Sequence, residues 1–160
     1  MAGERGWSDP DRVAAMGASA GGLTVLLLCA RHGDLLRAGV SVYGVTDLLE
    51  LARTTHRFES RYLDRVVGLL PRDEDLYRDR SPVTHASAIR IPMLVLQGDA
   101  EKVVPPEQAR AVVDAMQRAG GAVEHHVYEG EGHGWSRPET VADSLMRIDA
   151  FLDQHVRQDA

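Results

Sequence analysis

The stretch that decides the fold is Arg12-Val-Ala-Ala-Met-Gly-Ala-Ser-Ala-Gly-Gly-Leu-Thr-Val-Leu-Leu-Leu-Cys-Ala30. It reads as a short apolar strand, a turn of small residues and a buried helix. Its centre, Gly17-Ala-Ser-Ala-Gly21, is a G-x-S-x-G pattern, and such a turn lifts the Ser19 hydroxyl above the end of a sheet. Glycine is expected on both sides of Ser19 because a Cβ would not fit where strand and helix approach closely. The alternative is a glycine-rich turn that carries no chemistry, or one that binds phosphate.

The composition predicts one domain of ordinary size. The chain has 160 residues, 44% of them hydrophobic and 26% charged, so a single domain is expected to span residues 1–160. Its net charge of −6 gives no basis for a nucleic-acid or anionic-membrane partner. The single cysteine, Cys29, cannot form an intramolecular disulfide, and neither a signal peptide nor a membrane-spanning run is visible. These features together predict a cytoplasmic protein.

Strands and helices alternate along the chain, which predicts an α/β fold with a mostly parallel sheet. The predicted strands are Val13–Met16, Ala38–Tyr43, Pro92–Gln97 and Val123–Tyr128. The predicted helices are Ala20–Arg31, Leu48–Ala52, Glu107–Ala119 and one that begins near Pro138. Helical spacing also extends over Phe58–Leu69, whereas the rest of Arg53–Ser87 is polar and irregular. The inner face of the last helix is expected to carry Leu145, Ile148, Phe151 and Leu152.

Residues that can carry chemistry follow three of the predicted strands. Ser19 follows the first, an acidic loop with Asp99 and Glu101 follows the third, and His133 lies between two glycines after the fourth. Because functional groups gather at the carboxyl ends of parallel strands, we expect these side chains to meet. Serine becomes a nucleophile when a histidine takes its proton and a carboxylate orients that histidine. The order serine, acid, histidine is that of an α/β-hydrolase triad, but spacing alone does not choose between Asp99 and Glu101.

The remaining histidines do not form a second site. His125 and His126 are adjacent on a strand, so their side chains point to opposite faces and cannot chelate one metal. No cysteine and histidine cluster has zinc spacing, so neither a metal nor a cofactor is expected. Polar and aromatic residues cluster in Thr55–Tyr62, which either lines a pocket after the second strand or packs against the sheet edge.

Eight different short motifs are spread along the whole chain: Asp9-Pro-Asp-Arg12, Gly17-Ala-Ser-Ala-Gly-Gly22, Tyr43-Gly-Val-Thr-Asp47, Thr55-His-Arg-Phe-Glu-Ser-Arg-Tyr62, Ser81-Pro82, Leu96-Gln-Gly98, Val103-Val-Pro-Pro-Glu-Gln108 and Glu129-Gly-Glu-Gly-His-Gly134. In this order they resemble the prolyl oligopeptidase family of serine peptidases, in particular its acylaminoacyl-peptidase and dipeptidyl-peptidase-like enzymes. The resemblance implies the C-terminal part of an α/β-hydrolase catalytic domain that hydrolyses peptide bonds through an acyl-enzyme.

The resemblance also implies a role for each site residue. Ser19 corresponds to the nucleophile and His133 to the general base. The family's acid is usually an aspartate three residues after the glycine of the Q-G pair, and that position carries Glu101 here, with Asp99 as the reserve. The backbone N–H of Ala20 corresponds to one oxyanion donor. The family's early strands and the loop with the second donor have no counterpart, so the expected fold is a truncated α/β-hydrolase with about four strands.

Two alternatives to a peptide-cleaving enzyme stay open. One is an esterase or lipase on the same fold that acts on a small acyl substrate. The other is an inactive remnant that needs a partner chain or a second copy to complete its sheet, because half a sheet leaves an exposed strand edge. Turnover of esters alone would favour the first alternative, and loss of activity on dilution would indicate assembly.

Overall fold

A parallel four-stranded sheet forms the centre of the fold. The computed structural model describes residues 5–6, 9–54 and 60–157. Within them the strands lie side by side in sequence order, and every neighbouring pair is parallel. The strands are β1 (Ala14–Ala18), β2 (Ala38–Val42), β3 (Met93–Gly98) and β4 (Val123–Tyr128). The predicted α/β class is confirmed, and each predicted strand overlaps an observed one.

The two central strands are buried along their whole length. For β3 this agrees with its continuous apolar sequence, which is typical of a strand covered on both faces. Because side chains alternate across a strand, β3 contributes to a separate core on each face of the sheet. Met93 and Val95 pack with buried residues on one face, and Leu94 and Leu96 pack with Phe151 and its neighbours on the other. The sheet therefore holds two hydrophobic layers together.

Helices cover both faces of this sheet. The long ones are α1 (Ala20–His32), α6 (Pro106–Arg118) and α7 (Pro138–Leu152), and shorter ones between β2 and β3 are α2 (Leu48–Thr54), α3 (Ser60–Val66), α4 (Glu74–Asp79) and α5 (Pro82–His85). Short 3₁₀ turns at Gly33–Leu35 and Ala86–Ala88 and a π-helical turn at Asp153–Arg157 complete the described structure.

Two helix predictions need correction. The segment predicted as irregular contains α4 and α5, which are too short for a visible apolar period. On α7 the prediction of an inward Leu145 is wrong, because its side chain is 58% exposed. Ser144 takes the buried position instead and donates its hydroxyl to the Val141 carbonyl.

The parallel arrangement places the carboxyl ends of all four strands at one edge of the sheet. Ser19 follows β1 directly, residues 99–105 connect β3 to α6, and residues 129–137 connect β4 to α7. The three loops with the predicted site residues therefore lie at the same edge. No helix within the described residues combines the length and apolarity needed to cross a membrane.

Candidate active site

Ser19 occupies a sharp turn between β1 and α1. Its backbone has φ 54° and ψ −121°, a conformation that a residue with a side chain rarely adopts. Such a residue costs about 1–3 kcal/mol and persists only where its surroundings hold it. The Ser19 N–H donates to the Val42 carbonyl at 3.0 Å, and the Ser19 carbonyl accepts from the N–H groups of Val45 and Leu23 at 3.3 Å. The turn is thus held from β2, from the loop after it and from α1.

Two glycines around Ser19 are required for steric reasons. A Cβ on Gly17 would lie 2.4 Å from the Gly21 carbonyl oxygen, which confirms the prediction for the strand side. On the helix side the prediction for Gly21 is wrong, since a Cβ there would meet no described atom within 4 Å. Gly22 has that role, because its Cβ would lie 2.6 Å from the Cα of Gly44.

Three side chains from the three loops form one chain of hydrogen bonds. His133 Nε2 lies 3.0 Å from Ser19 Oγ, and His133 Nδ1 lies 2.7 Å from Glu101 Oε2. The Glu101 side chain is fully buried, whereas that of His133 is 28% exposed. A carboxylate only accepts hydrogen bonds, so it places the imidazole proton on Nδ1 and leaves the Nε2 lone pair for the serine hydroxyl.

The Glu101 carboxylate is also held from behind. Its Oε1 accepts the N–H of Val103 at 2.6 Å and that of Val104 at 3.2 Å. These bonds compensate the cost of burying a charge and leave Oε2 free for His133. The backbone therefore holds the carboxylate in one orientation.

Asp99, the reserve acid, lies elsewhere in the same loop. It is exposed, and its Oδ1 accepts the Gly130 N–H at 2.6 Å while its own N–H donates to the Tyr128 carbonyl at 3.1 Å. Asp99 thus ties the loop after β3 to the start of the loop that carries His133. Of the two candidates, Glu101 is the one that meets the imidazole.

Ala20 is the first residue of α1, directly after Ser19. N–H groups in the first turn of a helix have no carbonyl partner within that helix. The Ala20 N–H therefore lies where a developing negative charge beside Ser19 could accept its hydrogen bond.

One aromatic ring contacts His133 and a second ring contacts the first, and neither was predicted at the site. The Tyr43 ring lies 4.8 Å from the His133 ring between centroids, and the Trp135 ring lies 5.1 Å from that of Tyr43. Tyr43 also has a positive φ of 37°, and its N–H donates to the Leu96 carbonyl at 2.7 Å. Its position directly after β2, at the same edge as Ser19, is the signal that could have identified it.

An apolar cavity opens beside the serine. It has a volume of about 180 Å³ and is lined by Ser19, Ala20, Val45, Leu51, Tyr62, Leu63, Val103 and Val104. A second cavity of about 280 Å³ shares five of these residues and continues along α1. Of the predicted segment Thr55–Tyr62, Tyr62 lines both cavities, and residues 55–59 lie outside the described part of the chain.

The two adjacent histidines of β4, His125 and His126, do not lie with Ser19 and His133 at the carboxyl ends of the strands. His126 packs against Tyr128 with 4.5 Å between ring centroids and lies 3.9 Å from Asp143. Burial lowers the pKa of both His125 and His126, and burial together with the bond to Asp143 raises the pKa of Tyr128 to about 12. Within residues 5–6, 9–54 and 60–157, no group of three acidic, cysteine or histidine side chains could hold a metal ion.

Comparison with known families identifies the relatives of this site. The profile described as the prolyl oligopeptidase family matches residues 1–159. The chain belongs to the prolyl oligopeptidase family. The resemblance carried by the sequence motifs is confirmed.

Two proteins described as peptidases align with nearly all of this chain. Dipeptidyl aminopeptidase BIII of Pseudoxanthomonas mexicana is 30% identical over 156 residues, which cover 94% of this chain and 23% of that protein. The solved structure of a puromycin-hydrolyzing peptidase from Mycobacterium tuberculosis is 37% identical and superposes with a TM-score of 0.93, covering 99% of this chain and 24% of the other. The four-stranded sheet therefore matches one part of an α/β-hydrolase domain.

An ester hydrolase is also among the relatives. A Mycobacterium tuberculosis protein described as a probable carboxylic ester hydrolase, LipM, is 36% identical over 124 residues, which cover 69% of this chain and 29% of that protein. This chain thus spans between 23% and 29% of the length of the three proteins compared.

Proposed function

We propose that this chain belongs to a serine peptidase in which Ser19 is the nucleophile, His133 the general base and acid, and Glu101 the acid that orients His133. The proposal rests above all on the hydrogen bonds that join Ser19 Oγ, the two ring nitrogens of His133 and Glu101 Oε2 at 3.0 and 2.7 Å. Family membership supports the same chemistry, since relatives of this chain are described as peptidases.

The reaction begins with attack of Ser19 Oγ on the carbonyl carbon of a peptide bond. His133 Nε2 takes the serine proton as the new C–O bond forms, and Glu101 stabilises the resulting imidazolium through Nδ1–H. The negative charge on the former carbonyl oxygen accepts the Ala20 N–H. His133 then gives its proton to the leaving nitrogen, the C–N bond breaks, and an acyl-enzyme remains on Ser19. Water, deprotonated by His133, attacks this ester. The bond from the acyl carbon to Ser19 Oγ breaks, His133 returns the proton to Oγ, and the acid is released.

The apolar cavity beside Ser19 supports a substrate with an apolar group next to the scissile carbonyl. Val45 and Leu63 are buried, while Tyr62 is 64% exposed and available to cover such a group. A cavity of about 180 Å³ that opens onto the nucleophile has room for one amino-acid side chain rather than for a large ligand.

The proposal also covers what completes the sheet, the cell compartment and the partners of the chain. Residues 1–160 form one unit of the catalytic domain, and further chain or a second copy completes the sheet along β1, which within the described residues pairs with a strand on one side only. Cys29 is buried and single, which suits the reducing cytoplasm. The net charge of −6 favours neither nucleic acid nor an anionic membrane as a partner.

A matched substrate pair tests the reaction class. One apolar N-acyl amino acid is presented as an anilide and as an ester of the same acyl group, to the wild-type chain and to Ser19→Ala. Release of the aniline by the wild type and its loss in Ser19→Ala are the expected results. If the wild type hydrolyses the ester but not the anilide, the second candidate function, an esterase, replaces the proposal. The similarity to LipM favours this second candidate.

A further inference from the structure

The loop that carries His133 contains a second buried carboxylate. The Glu131 side chain is fully buried, and an unpaired charge there would be costly. Its Oε2 accepts the N–H and the hydroxyl of Ser136, both at 2.8 Å. Its Oε1 accepts the N–H of Arg137 at 3.2 Å and the Arg137 Nε at 3.0 Å. The Glu131 side chain thus joins the two ends of residues 131–137 into a hydrogen-bonded ring, and His133 lies on the segment between them.

The backbone of Glu131 contacts the neighbouring loop as well. Its carbonyl accepts the Ala100 N–H at 3.0 Å, one residue before Glu101. A Cβ on Gly98 would lie 2.2 Å from this carbonyl oxygen, so the two loops are in direct contact. Glu131 therefore joins the loop of the histidine to the loop of the acid.

The loop needs such a clamp because His133 lies between Gly132 and Gly134. Glycine restricts the backbone least of all residues, and Gly134 has a φ of 92° that L side chains rarely adopt. Without the clamp, this segment would be held by the two hydrogen bonds of His133, its ring contact with Tyr43 and a bridge between Gly132 and Gly134. The ring closed by Glu131 fixes that segment at both ends.

We infer that Glu131 is a positioning residue, whose buried carboxylate holds the imidazole of His133 at hydrogen-bond distance from both Ser19 and Glu101. The inference rests on the proposed function for the role of His133, but the positioning itself concerns only hydrogen bonds within the chain. The ring requires the ionised form of Glu131, because both carboxylate oxygens accept hydrogen bonds. The Ser136 N–H foremost holds the pKa of Glu131 well below its usual range.

Glu131→Gln tests this, with Glu129→Gln as the matched control on the same loop, where the side chain is exposed. Glutamine keeps the shape but turns an NH₂ group towards donors. Two quantities are measured: the rate at which a fluorophosphonate modifies Ser19, and the far-downfield NMR resonance of the proton between His133 and Glu101. For Glu131→Gln we expect modification about 10²-fold slower, the effect of an ångström-scale displacement, and loss of the resonance. Glu129→Gln should change neither.

Ser136→Ala covers the case in which Glu131→Gln does not fold. It removes one hydrogen bond to the carboxylate, so modification should slow about tenfold and the resonance should weaken. An unchanged rate and resonance in the folded Glu131→Gln, or in Ser136→Ala if the former does not fold, overturns the inference. The two proposals can fail separately. If the wild-type chain shows the resonance but is not modified, and Glu131→Gln loses the resonance, then positioning by Glu131 is supported and the proposed function is refuted.

Discussion

Shortening the acid by one methylene is the sharpest test of how Glu101 works. In Glu101→Asp the carboxylate moves back by about 1.5 Å, the length of one C–C bond. If it keeps the Val103 N–H that it now accepts at 2.6 Å, its other oxygen withdraws from the 2.7 Å contact with His133 Nδ1 to about 4 Å. The aspartate can therefore satisfy either the backbone or the imidazole, but not both.

The magnitude follows from the lost contact. A hydrogen bond to a charged group contributes about 1.5–3 kcal/mol, which corresponds to a rate lower by about 10- to 10²-fold. In Glu101→Gln the charge is lost and the imidazole is held in the wrong tautomer. The expected loss is then about 10⁴-fold, the scale of the corresponding acid-to-amide change in a well-studied serine protease.

The assay is the second-order rate of Ser19 modification by a fluorophosphonate in each variant. Asp99→Asn is the control, because an asparagine oxygen still accepts the Gly130 N–H and the rate should stay at the wild-type value. A rate that falls in Asp99→Asn and not in Glu101→Gln would refute the assignment of Glu101 as the acid.

Three further predictions concern stability and reactivity. Gly17→Ala should lower the free energy of unfolding by about 1–3 kcal/mol through its 2.4 Å overlap with a carbonyl, whereas Gly21→Ala, in open space within α1, should raise it by up to about 1 kcal/mol; urea unfolding compares the two. Burial raises the pKa of Cys29 to about 11, so iodoacetamide at pH 8 should alkylate it only after unfolding, and fast alkylation of the folded chain would contradict this. The hydrogen bond from Arg147 foremost lowers the pKa of Asp143. This ion pair therefore stabilises the fold at a pH above the pKa that Asp143 has in the unfolded chain, and the stabilisation is lost as the pH falls below about 4. The difference in melting temperature between the wild type and Asp143→Asn should accordingly shrink as the pH falls through that range.

Features that depend on a local pattern were predictable from the sequence. A continuous apolar run located β3, β-branched residues located β2, and the G-x-S-x-G turn located Ser19, because neighbouring residues impose each of these features. The family resemblance pointed to Glu101 rather than Asp99, and Glu101 is the residue that contacts His133.

Features that depend on packing between distant segments were not predictable. The contact that excludes a side chain at Gly22 comes from Gly44, so no pattern around Ser19 reveals it. Leu145 is apolar at a helical spacing but faces outward, because α7 turns Ser144 and Ile148 towards the sheet. The role of Glu131 is hidden for the same reason, since its motif does not reveal that the carboxylate folds back onto Ser136.

The proposed chemistry requires that His133 activates Ser19 as a nucleophile in the folded chain. Fluorophosphonate treatment followed by peptide mass spectrometry tests it most directly, with His133→Ala treated in parallel. Modification at Ser19 in the wild-type chain and a strongly reduced rate in His133→Ala are the expected results. Absence of modification at Ser19 in the folded wild type, or equal rates in the two proteins, would contradict it.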